Sequence, residues 1–251
     1  MQIKWAPALF AIGLASVAAI PRSQANETTL ERMPAALETQ FALSAVPPAL
    51  RERASVYLLD PTKGYSLSKQ GTSSLTCIVQ RTAWEYSDFR NDIYWPVCYD
   101  AAGTKMHLKV IMDAAALRAQ GMGPEALKAE ISKRYRERTY KIPEKSGLSY
   151  MVGPVMRAAG PPDMKVRTMA MPHLMFYAPF VTNEEIGATP DFTNFSSLKY
   201  PFIDQHGIPE QSYVIQLIGE AETNKILADE APLIDALCAY RDVLCLAHEG
   251  H

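Results

Sequence analysis

Met169, Met171, His173 and Met175 stand at alternate positions in the stretch MAMPHLMFYA. On a β-strand alternate side chains share a face, so this spacing gathers three thioethers and one imidazole. Soft sulfur combined with imidazole is a donor set that selects Cu(I) over hard cations. Same-face Cα atoms lie ~6.7 Å apart, a gap that long methionine side chains can close, and Met151 and Met164 are candidates to join them. His173 is also a candidate general base. A second is His206, which follows Asp204 by two residues in IDQHGIPE, because an Asp–His pair can orient an imidazole for proton abstraction. Packing competes with both chemistries. The opposite face (Ala170, Pro172, Leu174, Phe176 and Ala178) is apolar as well, so the leading expectation is a strand buried on both sides. Methionines then fill gaps, and His173 finds one hydrogen-bond partner. Pro172 favours an edge or a bulge over a tuned metal site.

Other candidate motifs carry less. GMGPEA at 121–126 has the glycine spacing of a dinucleotide loop, but it follows a predicted helix, whereas phosphate binding requires a strand before it. The sequence has no G-x-S-x-G elbow, H-E-x-x-H pair or phosphate-binding P-loop. HEGH at 248–251 lacks the i,i+4 spacing of a helical zinc pair and reads as a frayed tail. His107 alternates with Lys105 and Lys109 in TKMHLKVIM, which places it on a solvated strand face. Asn26-Glu27-Thr28 and Asn194-Phe195-Ser196 are glycosylation sequons only in a eukaryotic setting.

The first 25 residues point to export. Lys4 precedes the apolar run APALFAIGLASVAAI, and Ser23-Gln24-Ala25 forms a small-residue cleavage site. The mature chain is expected to be a single domain over 26–251, with no further stretch able to span a bilayer. Losing Lys4 and Arg22 takes the formal charge of −2 to about −4, which gives no electrostatic reason to seek nucleic acid. All four cysteines (Cys77, Cys98, Cys238 and Cys245) lie in this mature part, and an even count after a signal segment implies two disulfides. On an unbroken helix Cys238 and Cys245 would sit ~10 Å apart. A disulfide needs under ~7 Å. Either the last helix breaks before Cys245, or both cysteines reach across to Cys77 and Cys98.

Periodicity predicts the elements that must position these residues. Leu30, Met33, Leu37 and Phe41 recur at helical spacing over 28–44, with Thr28 or Thr29 as a cap and Pro47-Pro48 as the stop. A three-stranded antiparallel meander is expected over 54–82, turning at Asp60–Gly64. TKMHLKVIM alternates as a half-buried strand, and Asp113 then caps a helix that Gly121 ends. A second helix opens at Pro124, with Glu130 and Arg134 paired at i,i+4 and the basic run 133–141 at its C-terminal end. Strands follow at 149–156 and 166–178. A central strand begins at Ser212, and helices over 222–230 and 232–244 close the chain. Strands with helices between and after them define an α+β class.

The segment from Ala49 to Asp100, carrying ALRERASVYLLD, KQGTSSLTC and PVCYD, resembles exported bacterial proteins of unassigned function. Ser73-Ser74 stand where those proteins have Asn-Gly. The resemblance brings no activity. It implies that Cys77 and Cys98 pair with each other, and hence that the last helix breaks before Cys245. The sequence thus leads to a periplasmic or secreted binding or envelope-accessory protein, with no cofactor and no identified partner. A Cu(I)-binding protein and a hydrolase-like enzyme with a histidine base are the alternatives.

Overall fold

A computed structural model describes residues 28–142, 144–205 and 207–247. The expected signal segment, the Asn26 sequon, His206 and the tail 248–251 lie outside the described residues.

Prolines set the first boundaries. Helix α1 (Ala35–Ser44) begins after Pro34, past the expected Thr28 or Thr29 cap, and Pro48 opens the short α2 (Pro48–Arg51). Strands β1 (Ser55–Asp60) and β2 (Gly64–Lys69) form the expected hairpin. Gly64 takes φ +92°, and a Cβ there would meet the Ala116 backbone at 3.3 Å. The meander ends at β2. Strand β3 (Thr76–Gln80) lies on the other side of β1 and runs parallel to it. The chain crosses the start of β1 at Gly71, where a Cβ would sit 2.3 Å from the Arg53 carbonyl. Thr72 and Ser73 donate their backbone N–H groups to that same carbonyl. Only a residue without a side chain permits this approach.

Strand β4 (Trp95–Tyr99) returns antiparallel to β3. Asp100 caps α3 (Ala101–Lys105), accepting from the Gly103 N–H at 2.8 Å, and α4 (His107–Ala119) follows directly. The segment read as a strand is therefore helical. Its buried residues include His107, Ile111, Ala114 and Ala115, which recur at three and four, a period that nine residues of alternation concealed. Asp113 is not a cap: it sits inside α4 and binds Lys109, Arg134 and Tyr140. Helix α5 (Pro124–Arg136) follows, with the Glu130–Arg134 pair closed at 2.8 Å.

The rest of the chain adds β5 (Leu148–Met151), β6 (Met156–Gly160), β7 (Lys165–Met169), β8 (His173–Tyr177), β9 (Phe202–Asp204) and β10 (Tyr213–Leu217). Helices α6 (Glu220–Asp229) and α7 (Ala231–Tyr240) end it. The main sheet has eight strands in the order β2-β1-β3-β4-β5-β8-β10-β9, all antiparallel except β1/β3, and β6-β7 form a separate hairpin. The fold is α+β. Strand β10 sits one place from the edge, not at the centre.

One face of the sheet, with Val56, Cys77, Val79 and Cys98, packs against Phe41 of α1 and Leu237 of α7. The other, with Ile78, Val97, Tyr99, Met175 and Tyr213, packs against Leu108 and Ile111 of α4. Cys77 and Cys98 face each other across the β3–β4 ladder and form one disulfide. Helix α7 stops at Tyr240, and the break brings Cys245 to within 4.3 Å of Cys238, Cα to Cα, for the second. Two such bonds fit an oxidising compartment. Among the described residues no helix is long and apolar enough to cross a membrane.

Glu38 on α1 is buried, and its carboxylate accepts the Leu59 N–H at 2.9 Å. Burial pushes its pKa up to about 7, against the lesser pull of the Leu59 bond, Arg81 and Arg32. Its folded pKa thus exceeds its unfolded one. The stability it carries is fully present below about pH 4.5 and is lost as pH rises towards 7, by about 3 kcal/mol. Glu38→Gln keeps an acceptor for Leu59 and should flatten that slope. Urea unfolding at pH 4.5 and pH 8 checks this: the variant gains on the wild type only at pH 8. An equal difference at both pH values would refute the assignment.

Candidate functional site

The stretch expected as one strand is two. Strand β7 belongs to the hairpin and β8 to the main sheet, and Ala170-Met171-Pro172 joins them. Proline has no N–H to give a ladder, so it stands where the chain leaves one pairing for another. Its carbonyl still accepts from Ile218 N–H at 2.8 Å. The sharing of one strand face by Met169, Met171, His173 and Met175 is thereby lost. Met169 lies opposite Met156 in the hairpin. Nor is β8 buried on both sides: His173, Met175 and Tyr177 face inward, while Phe176 is 38% exposed.

Pairing registers define the inward face. Met151, His173 and Leu217 form one row; Ser149, Met175, Ile215 and Phe202 the next; Tyr177, Tyr213 and Asp204 the third. The β6-β7 hairpin folds over this face. Tyr94 and Arg157 exchange backbone hydrogen bonds at 2.9 and 3.0 Å, and the Arg157 guanidinium binds Asp92 at 2.6 Å. Burial would raise the Asp92 carboxyl, but bonds from Arg90 and Arg157 hold it below the usual range.

Between hairpin and sheet lies a cleft of about 120 Å³. Met151, Met156, Met164, Met171 and Met175 line it with His173 and Asp204, and Tyr86, Trp95, Phe192, Leu198, Phe202 and Ile215 complete most of the wall. Five of the chain's eleven methionines line it. Three of the four residues proposed from strand spacing are present, brought by a bend in place of a continuous strand. Met151 and Met164 do join them, and Met169 does not. Met156 was missed, since only the fold-back of the hairpin puts it there.

His173 is 4% exposed, and its Nδ1 lies 2.7 Å from the Met171 carbonyl oxygen. A carbonyl only accepts, so Nδ1 carries a proton and donates it. Asp204 ends β9 on the same wall, and its carboxylate adds to burial in pushing the Tyr86 hydroxyl up. The structure therefore places Asp204 in one cleft with His173; its proposed partner His206 is outside the described residues. His107, expected on a solvated face, is instead buried between Tyr177 at 4.7 Å and Tyr213 at 4.9 Å, because α4 turns it onto the sheet.

Among the described residues the cleft wall includes no serine, threonine, cysteine or lysine. No group of three or more His, Cys, Asp or Glu side chains there could hold a metal. Compared with protein-family models, curated proteins and solved structures, the chain finds no match in any of the three.

The Arg157–Asp92 bond anchors the hairpin that roofs the cleft. Arg157→Ala should raise amide hydrogen exchange across 156–169 about tenfold and leave β3 and β4 protected. Unchanged exchange in the hairpin would show that the ion pair does not hold the roof.

Proposed function

We propose that this is an exported binding protein, periplasmic or secreted from a bacterium, whose working surface is the methionine-walled cleft. The N-terminal basic and apolar segment, the small-residue cleavage site and the two disulfides support export. One observation carries the binding role: a concave, largely apolar site in which His173 and Asp204 are the convergent polar groups. A volume of about 120 Å³ suits a single small ring or an ion, and is too small for a peptide or a lipid chain. The mildly acidic charge gives nucleic acid no purchase. A hydrolase-like enzyme is the second reading, favoured by the presence of His173 and Asp204 in one cleft and weakened by a described wall without serine, threonine, cysteine or lysine.

Trp95 is a built-in reporter, because it lines the cleft while Trp84 packs in a separate cluster with α5. Titrating a panel of single-ring aromatics should change Trp95 emission saturably, and Ala159→Trp, which fills the cleft, should abolish the displacement of one ligand by another. If the filled variant binds the panel as well as the wild type, binding lies elsewhere.

A further inference from the structure

We infer that Met164 is an oxidation site, and that conversion of its thioether to the sulfoxide by a peroxide lowers the affinity of the cleft for apolar ligands. The gating half of this rests on the reading of the cleft as the binding surface. Among the described residues Met164 is the one exposed methionine, at 45%; Met33, Met151 and Met175 are buried and the others half-buried. It occupies the turn between β6 and β7, where Gly160 pairs with Lys165. The backbone there takes φ +56°, a left-handed conformation uncommon for residues other than glycine, asparagine and aspartate. Asp163 fixes the turn, accepting the Lys165 N–H at 3.1 Å and pairing with Arg167. Both features count against a packing role for Met164. Glycine or asparagine would suit the backbone better, and a polar side chain would suit the exposure. What methionine adds at this position is sulfur.

Susceptibility of a thioether to oxidation follows its exposure. With hydrogen peroxide the step balances without any other reagent. A sulfur lone pair attacks one peroxide oxygen, and the S–O bond forms as the O–O bond breaks. The departing hydroxide takes the proton from the new S–OH group and leaves as water. Sulfur is oxidised by two electrons and the peroxide is reduced by two. An apolar thioether has then become a polar, chiral group. Met164 lines the cleft together with the half-buried Met156 and Met171 and the buried Met151 and Met175, so the change falls on the rim and the inner thioethers are shielded behind it. A sulfoxide oxygen seeks donors such as water, and covering it with an apolar ligand costs those hydrogen bonds. An exported chain meets such oxidants outside the thiol-reducing cytosol.

The test treats the mature chain with a limiting amount of hydrogen peroxide and maps sulfoxides by mass spectrometry of its peptides. The treated protein is then titrated with the single-ring aromatics, read through Trp95 emission. Met164 is expected to oxidise at least about tenfold faster than Met156 or Met171. Its sulfoxide should weaken binding about tenfold, and a methionine sulfoxide reductase should restore it. Met164→Leu, whatever its own affinity, should show the same value before and after treatment. Met164→Gln should bind about tenfold more weakly than the wild type without treatment. Oxidation of the inner methionines first, or at an equal rate, overturns the site. A Met164 sulfoxide that binds as tightly as the thioether overturns the gate, as does an equal loss in Met164→Leu. No Trp95 response before treatment, with Met164 still first to oxidise, overturns the binding reading and the gate together and leaves the oxidation site standing.

Discussion

Between Met169 and His173 the backbone must leave one ladder and join another, and it does so at a proline. Pro172 cannot donate to either sheet, yet its carbonyl accepts from Ile218 and so fixes where β8 begins. Everything at the site follows from that position. The hairpin before the break is free of the main sheet and folds over it, which opens a cleft in place of a continuous packed ribbon. The residue just before the proline turns its carbonyl to His173 and accepts from Nδ1 of the ring. Methionines from four different segments then line one cleft together with His173.

The scaffold under the cleft is stiff for separate reasons. The first disulfide crosslinks neighbouring strands within a fully buried cluster, and α1 and α7 cover it. On the inward face the rows that begin at His173 continue into a packed group of Tyr99, Tyr177, Tyr213 and His107. Tyr177 donates to Asp100 at 3.0 Å, and Asp100 also accepts from Gly103 and Leu148. Gly103 leaves room for this network, since a Cβ there would fall 2.0 Å from the Tyr177 hydroxyl. The roof is tied down by the Tyr94–Arg157 bridge, the Arg157–Asp92 ion pair, the bond from the Thr168 hydroxyl to the Val243 carbonyl and the burial of Ala158.

Much of this was legible from local pattern. The β1-β2 hairpin, the Pro124 start of α5, its Glu130–Arg134 pair and the α+β class depend on turn residues and periodicity close in sequence. What escaped depends on residues far apart. The parallel placement of β3 follows from a glycine crossing over Arg53, a contact no window of sequence contains. His107 was misplaced because nine residues alternate equally well as a strand and as part of a helix. At the site, sequence spacing found Met171, His173 and Met175 but gave the wrong reason, a common strand face. The actual cause is the bend at Pro172, which also removes Met169 and admits Met156. Proline within an apolar run was the available signal, and it marked the break itself.

The account turns on the state of one ring. Long-range proton–nitrogen correlation spectroscopy of His173 at neutral pH addresses it directly. A proton on Nδ1, held by the Met171 carbonyl, is the predicted result. An Nδ1 without a proton would contradict it.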